Sequence, residues 1–176
     1  HLGMAPWLCA NHRTNLHGTE LTAKISHMMW NDCYKVSRLE GYPLAWDKRD
    51  IDIAVASWNT HKFGETWENQ SWKCKLTKAG HIPGAAMLNV ETDTHKLLFT
   101  GDFDTRDSPL TTGAKPEKCD VLFVEGTYGG REHPSKEETI QKFIDRIVEI
   151  KDRGGTALIP AFANGRTQAV SYTHLR

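Results

Sequence analysis

The amino-acid sequence predicts an α/β protein whose sheet is at least partly parallel. The prediction depends on several short strands in the middle of the chain, followed by an apolar strand, an amphipathic helix and another apolar strand. Residues 121–124 form a continuous apolar run, which is typical of a strand buried on both faces, and residues 156–160 are interpreted in the same way. A strand, a helix and a strand at this spacing predict a βαβ crossover between parallel strands.

Two helices are predicted before the first strands. Residues 19–39 begin with a suitable N-cap in Thr19, and residues 41–43 (Gly-Tyr-Pro) would end the helix. Its apolar residues fall broadly on one stripe, the pattern of an amphipathic helix: Leu21, Ile25, Met28, Met29 and Val36. Residues 47–58 are predicted to form a second, shorter helix.

The predicted strands are separated by short turns. Residues 71–77, 85–90 and 96–100 are interpreted as strands, and residues 91–94 as the hairpin loop between the second and the third.

The helix after these strands has the clearest local signals. Ser135 and Glu138 form a capping box behind Pro134, and Gly154 with Gly155 would end the helix. Its apolar residues follow the i, i+3, i+4, i+7, i+8 spacing of one helix face: Ile140, Phe143, Ile144, Ile147 and Val148.

Composition is typical of a soluble globular protein and gives no support to a nucleic-acid partner. Apolar residues make up 39% and charged residues 25% of the 176 residues. The 22 Lys and Arg residues equal the 22 Asp and Glu residues, so the basic footprint that phosphate binding normally leaves is absent. No apolar run approaches the roughly 20 residues needed to span a bilayer. The cysteines are scattered without a C-x-x-C pair and are predicted to be reduced thiols: Cys9, Cys33, Cys74 and Cys119.

Two segments suggest a metal site. His81 lies in a glycine-rich loop (residues 79–87) directly after a predicted strand, and Asp102 follows a glycine at the end of another strand (residues 97–103). A single histidine is usually structural or solvated, and Gly-Asp alone is a common turn signal. An imidazole and a carboxylate at two successive strand ends are a better zinc hypothesis, because Zn²⁺ takes nitrogen and oxygen ligands together.

Four segments in order resemble the β-CASP nuclease branch of the metallo-β-lactamase superfamily. Residues 79–87 resemble the family's A-G-H-x-x-G-[SA]-A-M, residues 100–103 its T-G-D-F, residues 125–129 its E-S-T-Y-G, and residues 154–168 its G-G-x-x-L-I-P-x-F-A-x-G-R-x-Q-E. Residues 1–6 look like the last histidine of H-x-H-x-D-H with its x-G-x-x-P continuation.

The sequence also departs from this pattern. Gly126 replaces the usual serine after Glu125, and the expected glutamate after Gln168 is absent. Residues 171–176 resemble a sequencing-adapter read-through and are predicted to be a non-native tail.

The resemblance implies a site with two zinc ions. It implies His81 on one zinc, His1 on the other, and Asp102 bridging them; Glu125 would be an acid that orients a ligand histidine, and we expect Asp102 and Glu125 to be the catalytic residues. Arg166 is a candidate for holding a nucleic-acid phosphate, or alternatively covers a domain seam. Two further acids after Asp102 are predicted to stabilise their loop: Asp104 and Asp107.

The resemblance further implies a fragment truncated at both ends. We expect a partial αβ/βα metallo-β-lactamase domain over residues 1–129 and the beginning of an inserted β-CASP α/β domain over residues 130–170. The full-length parent is expected to be a zinc-dependent hydrolase of RNA or single-stranded nucleic acid, endonucleolytic or 5′-exonucleolytic, and the fragment itself inactive. Expected partners are RNA and subunits of a homodimer or a processing complex, without a membrane; localisation would be cytoplasmic in a prokaryote and nuclear in a eukaryote.

The sequence leaves two other functions open. The first is a catalytically inactive β-CASP scaffold subunit, and the second is a small-molecule metallo-hydrolase of the same fold. Retention of His81 and Asp102 argues against the scaffold, and the motifs between Glu125 and Gln168 argue against the small-molecule enzyme.

Overall fold

The computed structural model describes residues 2–162, 164–165 and 167–168. The chain divides into two units, residues 1–125 and residues 126–176. The first unit contains three helices, a small parallel sheet and a five-stranded sheet, and the second contains one long helix.

The helices of the first unit are α1 (Ala5–His12), α2 (Glu20–Glu40) and α3 (Lys48–Ala56). They surround a core of fully or nearly fully buried side chains: Ala5, Cys9, Trp30, Trp46, Ile51 and Ala54. Two short parallel strands, β1 (Leu16–Gly18) and β2 (Trp58–Thr60), accompany them. The prediction of α3 is confirmed, since Asp47 caps it through a complete capping box with Asp50, whereas α1, β1 and β2 are not predicted from the sequence.

The ends of α2 are as predicted. The Thr19 hydroxyl accepts a hydrogen bond from the Thr22 backbone N–H, and Gly41 ends the helix in the left-handed conformation with φ 74°. The predicted apolar stripe is not the buried face, because Met28 is 66% exposed and the buried residues are Ser26, Trp30 and Ser37. Trp30 belongs to the core between the helices, and its indole N–H donates to the Leu2 carbonyl, 2.9 Å away.

The five-stranded sheet follows the order of the chain. Its strands are β3 (Thr66–Asn69), β4 (Trp72–Lys78), β5 (Ala86–Glu91), β6 (Lys96–Phe99) and β7 (Val121–Phe123). The first three pairings are antiparallel and the β6–β7 pairing is parallel. The prediction of β4, β5 and β6 and of a partly parallel sheet is therefore confirmed, and β3 is an addition.

Strand β7 forms where it is predicted, but its predicted burial on both faces is wrong. Leu122 and Phe123 are each 51% exposed. The physical reason is position: β7 is the edge of the sheet, and only β6 pairs with it among the described residues. On β7, the Phe123 ring stacks on the Phe99 ring of β6, with ring centroids 4.4 Å apart.

The second unit contains the helix α4 (Lys136–Asp152). Its predicted start is confirmed, since the Ser135 hydroxyl accepts from the Glu138 backbone N–H at 3.1 Å. The strand predicted over residues 156–160 does not form, and the βαβ crossover that depends on it is wrong. The Gly155 N–H donates back to the Ile150 carbonyl and so forms a turn at the end of α4. A strand after this turn would need a neighbouring strand to pair with, and the described residues contain none that does so.

The cysteines are free thiols, as predicted. Burial raises the pKa of Cys9 and of Cys74, which makes both thiols less reactive than the exposed Cys33. Within the described part of the chain, no helix combines the length and the apolar character needed to cross a membrane.

Candidate metal centre

Three strands of the five-stranded sheet finish at the same end of the sheet. Strand β4 is antiparallel to β5, which is antiparallel to β6, so β4 and β6 run in the same direction; β7 is parallel to β6. Consequently the segments after β4, β6 and β7 leave the sheet on the same side. These segments carry His81, Asp102 and Glu125, respectively.

His81 lies in the tight turn between β4 and β5. Gly80 and Gly84 flank this turn with φ angles of 73° and 86°, which favour glycine. The turn is closed by hydrogen bonds from Ala79 N to Ala85 O at 3.2 Å and from Ala85 N to Ile82 O at 3.0 Å. The His81 imidazole is 44% exposed, so it remains accessible to an ion from solvent.

Asp102 follows β6 by three residues and faces His81. The His81 Nε2 atom and the Asp102 Oδ2 atom are 3.9 Å apart, and the Asp102 side chain is 42% exposed. Two ligand atoms bonded to one zinc at ~2.0–2.2 Å can be at most about 4.2 Å apart, and about 3.4 Å apart at a tetrahedral angle. The two side chains thus lie close enough together to bind one zinc. A small rotation of either side chain would shorten the distance between the two atoms to the tetrahedral value.

The donor set fits zinc in type. An imidazole nitrogen and a carboxylate oxygen are ligands that this borderline-soft ion accepts together. Residues 2–162 together with the described residues that follow them contain no group of three or more histidine, cysteine, aspartate or glutamate side chains placed to hold an ion. Among the described residues, His81 and Asp102 are thus two candidate ligands that the sheet brings together.

Glu125 acts on the backbone beside Asp102. Its Oε1 atom accepts a hydrogen bond from the Phe103 N–H at 3.1 Å, and its own N–H donates to the Thr100 hydroxyl at 3.4 Å. The residue after Asp102 is thereby tied to the end of β7. This contact holds the Asp102 segment in place.

Hydroxyl groups hold both ends of the His81 turn. Thr111 Oγ1 donates to the Gly80 carbonyl at 2.8 Å, and Thr19 and Thr22 donate to the Gly84 carbonyl at 2.9 Å and 3.1 Å. Sequence reasoning identifies Thr19 only as a helix cap and misses the other two. A T-x-x-T pair at the start of a helix is the available signal, because it presents two hydroxyls on one turn.

Gly80 also allows a close approach between two backbone segments. A Cβ atom on Gly80 would lie 2.2 Å from the Asp104 carbonyl oxygen and 2.8 Å from the Ala114 nitrogen. In the space that the missing side chain leaves, Asp104 N donates to Ala79 O at 2.9 Å and Ala114 N donates to Asp104 O at 2.8 Å. The His81 turn and the loop after Asp102 are therefore packed against each other through their backbones.

The acids after Asp102 stabilise this loop, as predicted. Arg106 donates to both carboxylate oxygens of Asp104, from Nε to Oδ1 at 3.0 Å and from Nη2 to Oδ2 at 2.9 Å. This pairing lowers the pKa of Asp104 and raises the pKa of Arg106. Asp107 Oδ1 accepts from the Gly113 N–H at 2.8 Å, which closes the loop at its far end.

Three predicted features lie outside the described residues. These are His1, Arg166 and the tail over residues 171–176. The turn next to Arg166 is described in part: Gly165 N donates to Gln168 Oε1 at 2.7 Å, and Thr167 Oγ1 donates to Phe162 O at 2.9 Å.

Removing the Thr111 hydroxyl tests whether the His81 turn is held by side chains. Thr111→Val keeps the shape of the residue but leaves the carbonyl of the buried Gly80 without this donor. We expect the free energy of unfolding to fall by about 1–2 kcal/mol. The measurement is urea denaturation followed by circular dichroism, with the exposed neighbour changed in Thr112→Val as the control. Equal stability of the two variants would show that the Thr111 hydroxyl does not hold the His81 turn.

The chain is similar to curated proteins along nearly its whole length, although no protein-family model matches it. It is 31% identical to RNase aCSPSF2 of Saccharolobus solfataricus over 97% of this chain and 35% of that protein. It is 32% identical to cleavage and polyadenylation specificity factor 73 of Drosophila melanogaster over 96% of this chain and 25% of that protein. It is 32% identical to endoribonuclease YSH1 of Yarrowia lipolytica over 90% of this chain and 20% of that protein.

The chain thus spans about a third or less of the length of these relatives. The similarity to RNase aCSPSF2 covers 97% of the chain and so includes nearly all of the segments that carry the resemblance. The mixed sheet and flanking helices agree with a partial metallo-β-lactamase fold. The chain belongs to the β-CASP branch of the metallo-β-lactamase superfamily.

Proposed function

We propose that this chain is part of a zinc-dependent phosphodiester hydrolase that processes RNA. The observation that carries the proposal is the 3.9 Å distance between His81 Nε2 and Asp102 Oδ2, at the end of the sheet where three strands finish. Relatives named as a ribonuclease, an endoribonuclease and a cleavage factor support RNA as the substrate. Endonucleolytic cleavage is the reaction that the name of the Yarrowia lipolytica protein favours.

In this proposal His81 and Asp102 hold zinc, and His1 contributes to a site of two ions. When bound, zinc supplies a water of lowered pKa and a positive charge that stabilises the phosphate oxygens during displacement. The chain's own residues fix the ligands. Glu125 holds the segment of Asp102 through the Phe103 N–H, and the hydroxyl of Thr111 holds the turn of His81 through the Gly80 carbonyl.

The proposed domain organisation follows the same assignment. Residues 1–129 form part of the metallo-β-lactamase domain and residues 130–170 begin the inserted β-CASP domain, where Arg166 would hold an RNA phosphate. The full-length protein would act as a homodimer or in a processing complex, in the nucleus of a eukaryote or the cytoplasm of a prokaryote. The 176-residue chain alone would bind at most one zinc weakly and would not cleave RNA.

The experiment compares the full-length protein with the 176-residue chain. Each is incubated with labelled RNA, with single-stranded DNA of the same sequence and with a small β-lactam or thioester, before and after chelation. We expect the full-length protein to cleave RNA, to lose this activity on chelation and to regain it with Zn²⁺. Turnover of the β-lactam or thioester without cleavage of RNA, or RNA cleavage that survives complete metal removal, would contradict the proposal.

A further inference from the structure

A pair of histidines in the first unit lies outside the candidate centre and forms a hydrogen-bonded arrangement of its own. We propose that His17 and His61 form an accessory site for a divalent transition-metal ion of the Cu²⁺ or Ni²⁺ class. His17 Nδ1 and His61 Nε2 are 2.9 Å apart. This inference does not depend on the proposed function, because it uses none of the residues at the end of the sheet where β4, β6 and β7 finish.

The backbone brings the two histidines together. Strands β1 and β2 are parallel, with His17 opposite Asn59 in the register. The His61 N–H donates to the Gly18 carbonyl at 2.9 Å, which extends the pairing of the strands by one residue. A pair fixed by two strands loses little conformational entropy when it binds an ion.

Trp67 on β3 supports both rings. The His17 and His61 rings are within 7° of coplanar, with centroids 5.2 Å apart, so the two imidazoles lie side by side. The indole of Trp67 stacks on His61 at 3.8 Å and on His17 at 5.6 Å, at interplanar angles of 11° and 4°. The indole face therefore keeps the two rings in one plane.

The nitrogen separation matches one coordination geometry better than another. Two nitrogens bonded to a metal at ~2.0–2.1 Å are about 2.9 Å apart at 90° and about 3.4 Å apart at a tetrahedral angle. The observed 2.9 Å therefore suits adjacent positions of a square-planar or tetragonal ion, the geometry that Cu²⁺ and Ni²⁺ favour. Zn²⁺ would require the rings to separate, and Mg²⁺ prefers oxygen ligands.

Binding requires a change of tautomer and an in-plane turn of each ring by roughly 45°, because the two facing nitrogens now point at each other, with the ring centroids 5.2 Å apart. In the neutral pair one ring donates its N–H to the other. When the ion binds, that hydrogen moves to the far nitrogen of the same ring, so both facing lone pairs are free and no net proton is released.

The test uses Ni²⁺ titration of the 176-residue chain, followed by tryptophan fluorescence and calorimetry. Paramagnetic Ni²⁺ next to Trp67 is expected to quench its emission in a saturable way, with Cu²⁺ binding more tightly and Zn²⁺ more weakly than Cu²⁺. His17→Gln and His61→Gln are each expected to weaken binding at least about tenfold, since even the loss of an outer-shell partner costs roughly 10- to 100-fold. Trp67→Phe should lose most of the quenching but keep the heat of binding.

Matched variants separate this site from others. His95→Gln removes a histidine in the hairpin turn after β5, and His81→Gln removes a ligand of the candidate centre; the quenching should persist in both. Circular dichroism checks that each variant remains folded, and either His17→Gln or His61→Gln alone suffices if the other does not fold. Unchanged Ni²⁺ affinity in a folded His17→Gln or His61→Gln variant would overturn the proposal, as would equal quenching by Mg²⁺.

Discussion

Gly80→Ala is expected to lower the free energy of unfolding of the chain by about 4 kcal/mol or more. Two costs add at this position. The backbone has a φ of 73°, where a residue with a Cβ atom is strained. The added Cβ would also lie 2.2 Å from the Asp104 carbonyl oxygen, a backbone atom that cannot move without breaking the hydrogen bonds of its loop. Urea denaturation followed by circular dichroism measures the loss.

Gly41→Ala is the matched control for Gly80→Ala. Gly41 has nearly the same φ, 74°, but an added Cβ there meets nothing within 4 Å. Its expected cost is only the conformational one, about 1–2 kcal/mol. If the two variants lose the same stability, the close packing of the His81 turn against the loop after Asp102 is not what holds this part of the fold together.

Asp102→Asn in the full-length protein is expected to reduce zinc-dependent RNA cleavage by about 100-fold or more. The amide keeps the size of the side chain but loses the negative charge that a bridging ligand needs. Charge stabilisation by a metal contributes several kcal/mol to a transition state, and each ~1.4 kcal/mol corresponds to a factor of ten in rate. The measurement is single-turnover cleavage of labelled RNA together with zinc content after dialysis.

Asp93→Asn controls for a general effect of removing a carboxylate. Asp93 is exposed in the hairpin turn between β5 and β6, on the same sheet but outside the candidate centre. Its variant should retain both activity and zinc. Full activity and full zinc content in Asp102→Asn would show that the essential ligands lie elsewhere in the protein.

The sequence predicts helix ends and strand positions well because their signals are local. Thr19 and Gly41 cap α2 through contacts within one turn of the helix, and the turn at residues 92–95 closes through hydrogen bonds between Thr92 and His95. Burial depends on distant neighbours and is predicted poorly. Nothing in the apolar stripe of α2 indicates that Trp30 is the inward side chain, and the apolar run of β7 does not reveal that it lies at the sheet edge.

In the candidate centre, too, the local features are predictable from the sequence and the long-range contacts are not. His81 and Asp102 are identifiable from short motifs because each lies in a glycine-containing turn directly after a strand. The threonines that hold the His81 turn are not, since Thr19 and Thr111 are far from Gly80 and Gly84 in the chain and only the fold brings their hydroxyls to those carbonyls. The strand predicted at residues 156–160 fails for the related reason that a strand needs a neighbour, which a local pattern cannot supply.

The most direct measurement is the position of zinc in crystals of the full-length protein, determined from anomalous scattering at the zinc absorption edge. We expect a peak at ~2.0–2.2 Å from the His81 imidazole nitrogen and from an Asp102 carboxylate oxygen. The same peak should be absent from crystals of the Asp102→Asn variant grown with equal zinc. A zinc position that involves neither His81 nor Asp102 would contradict the assignment of the metal centre and the proposed hydrolytic function with it.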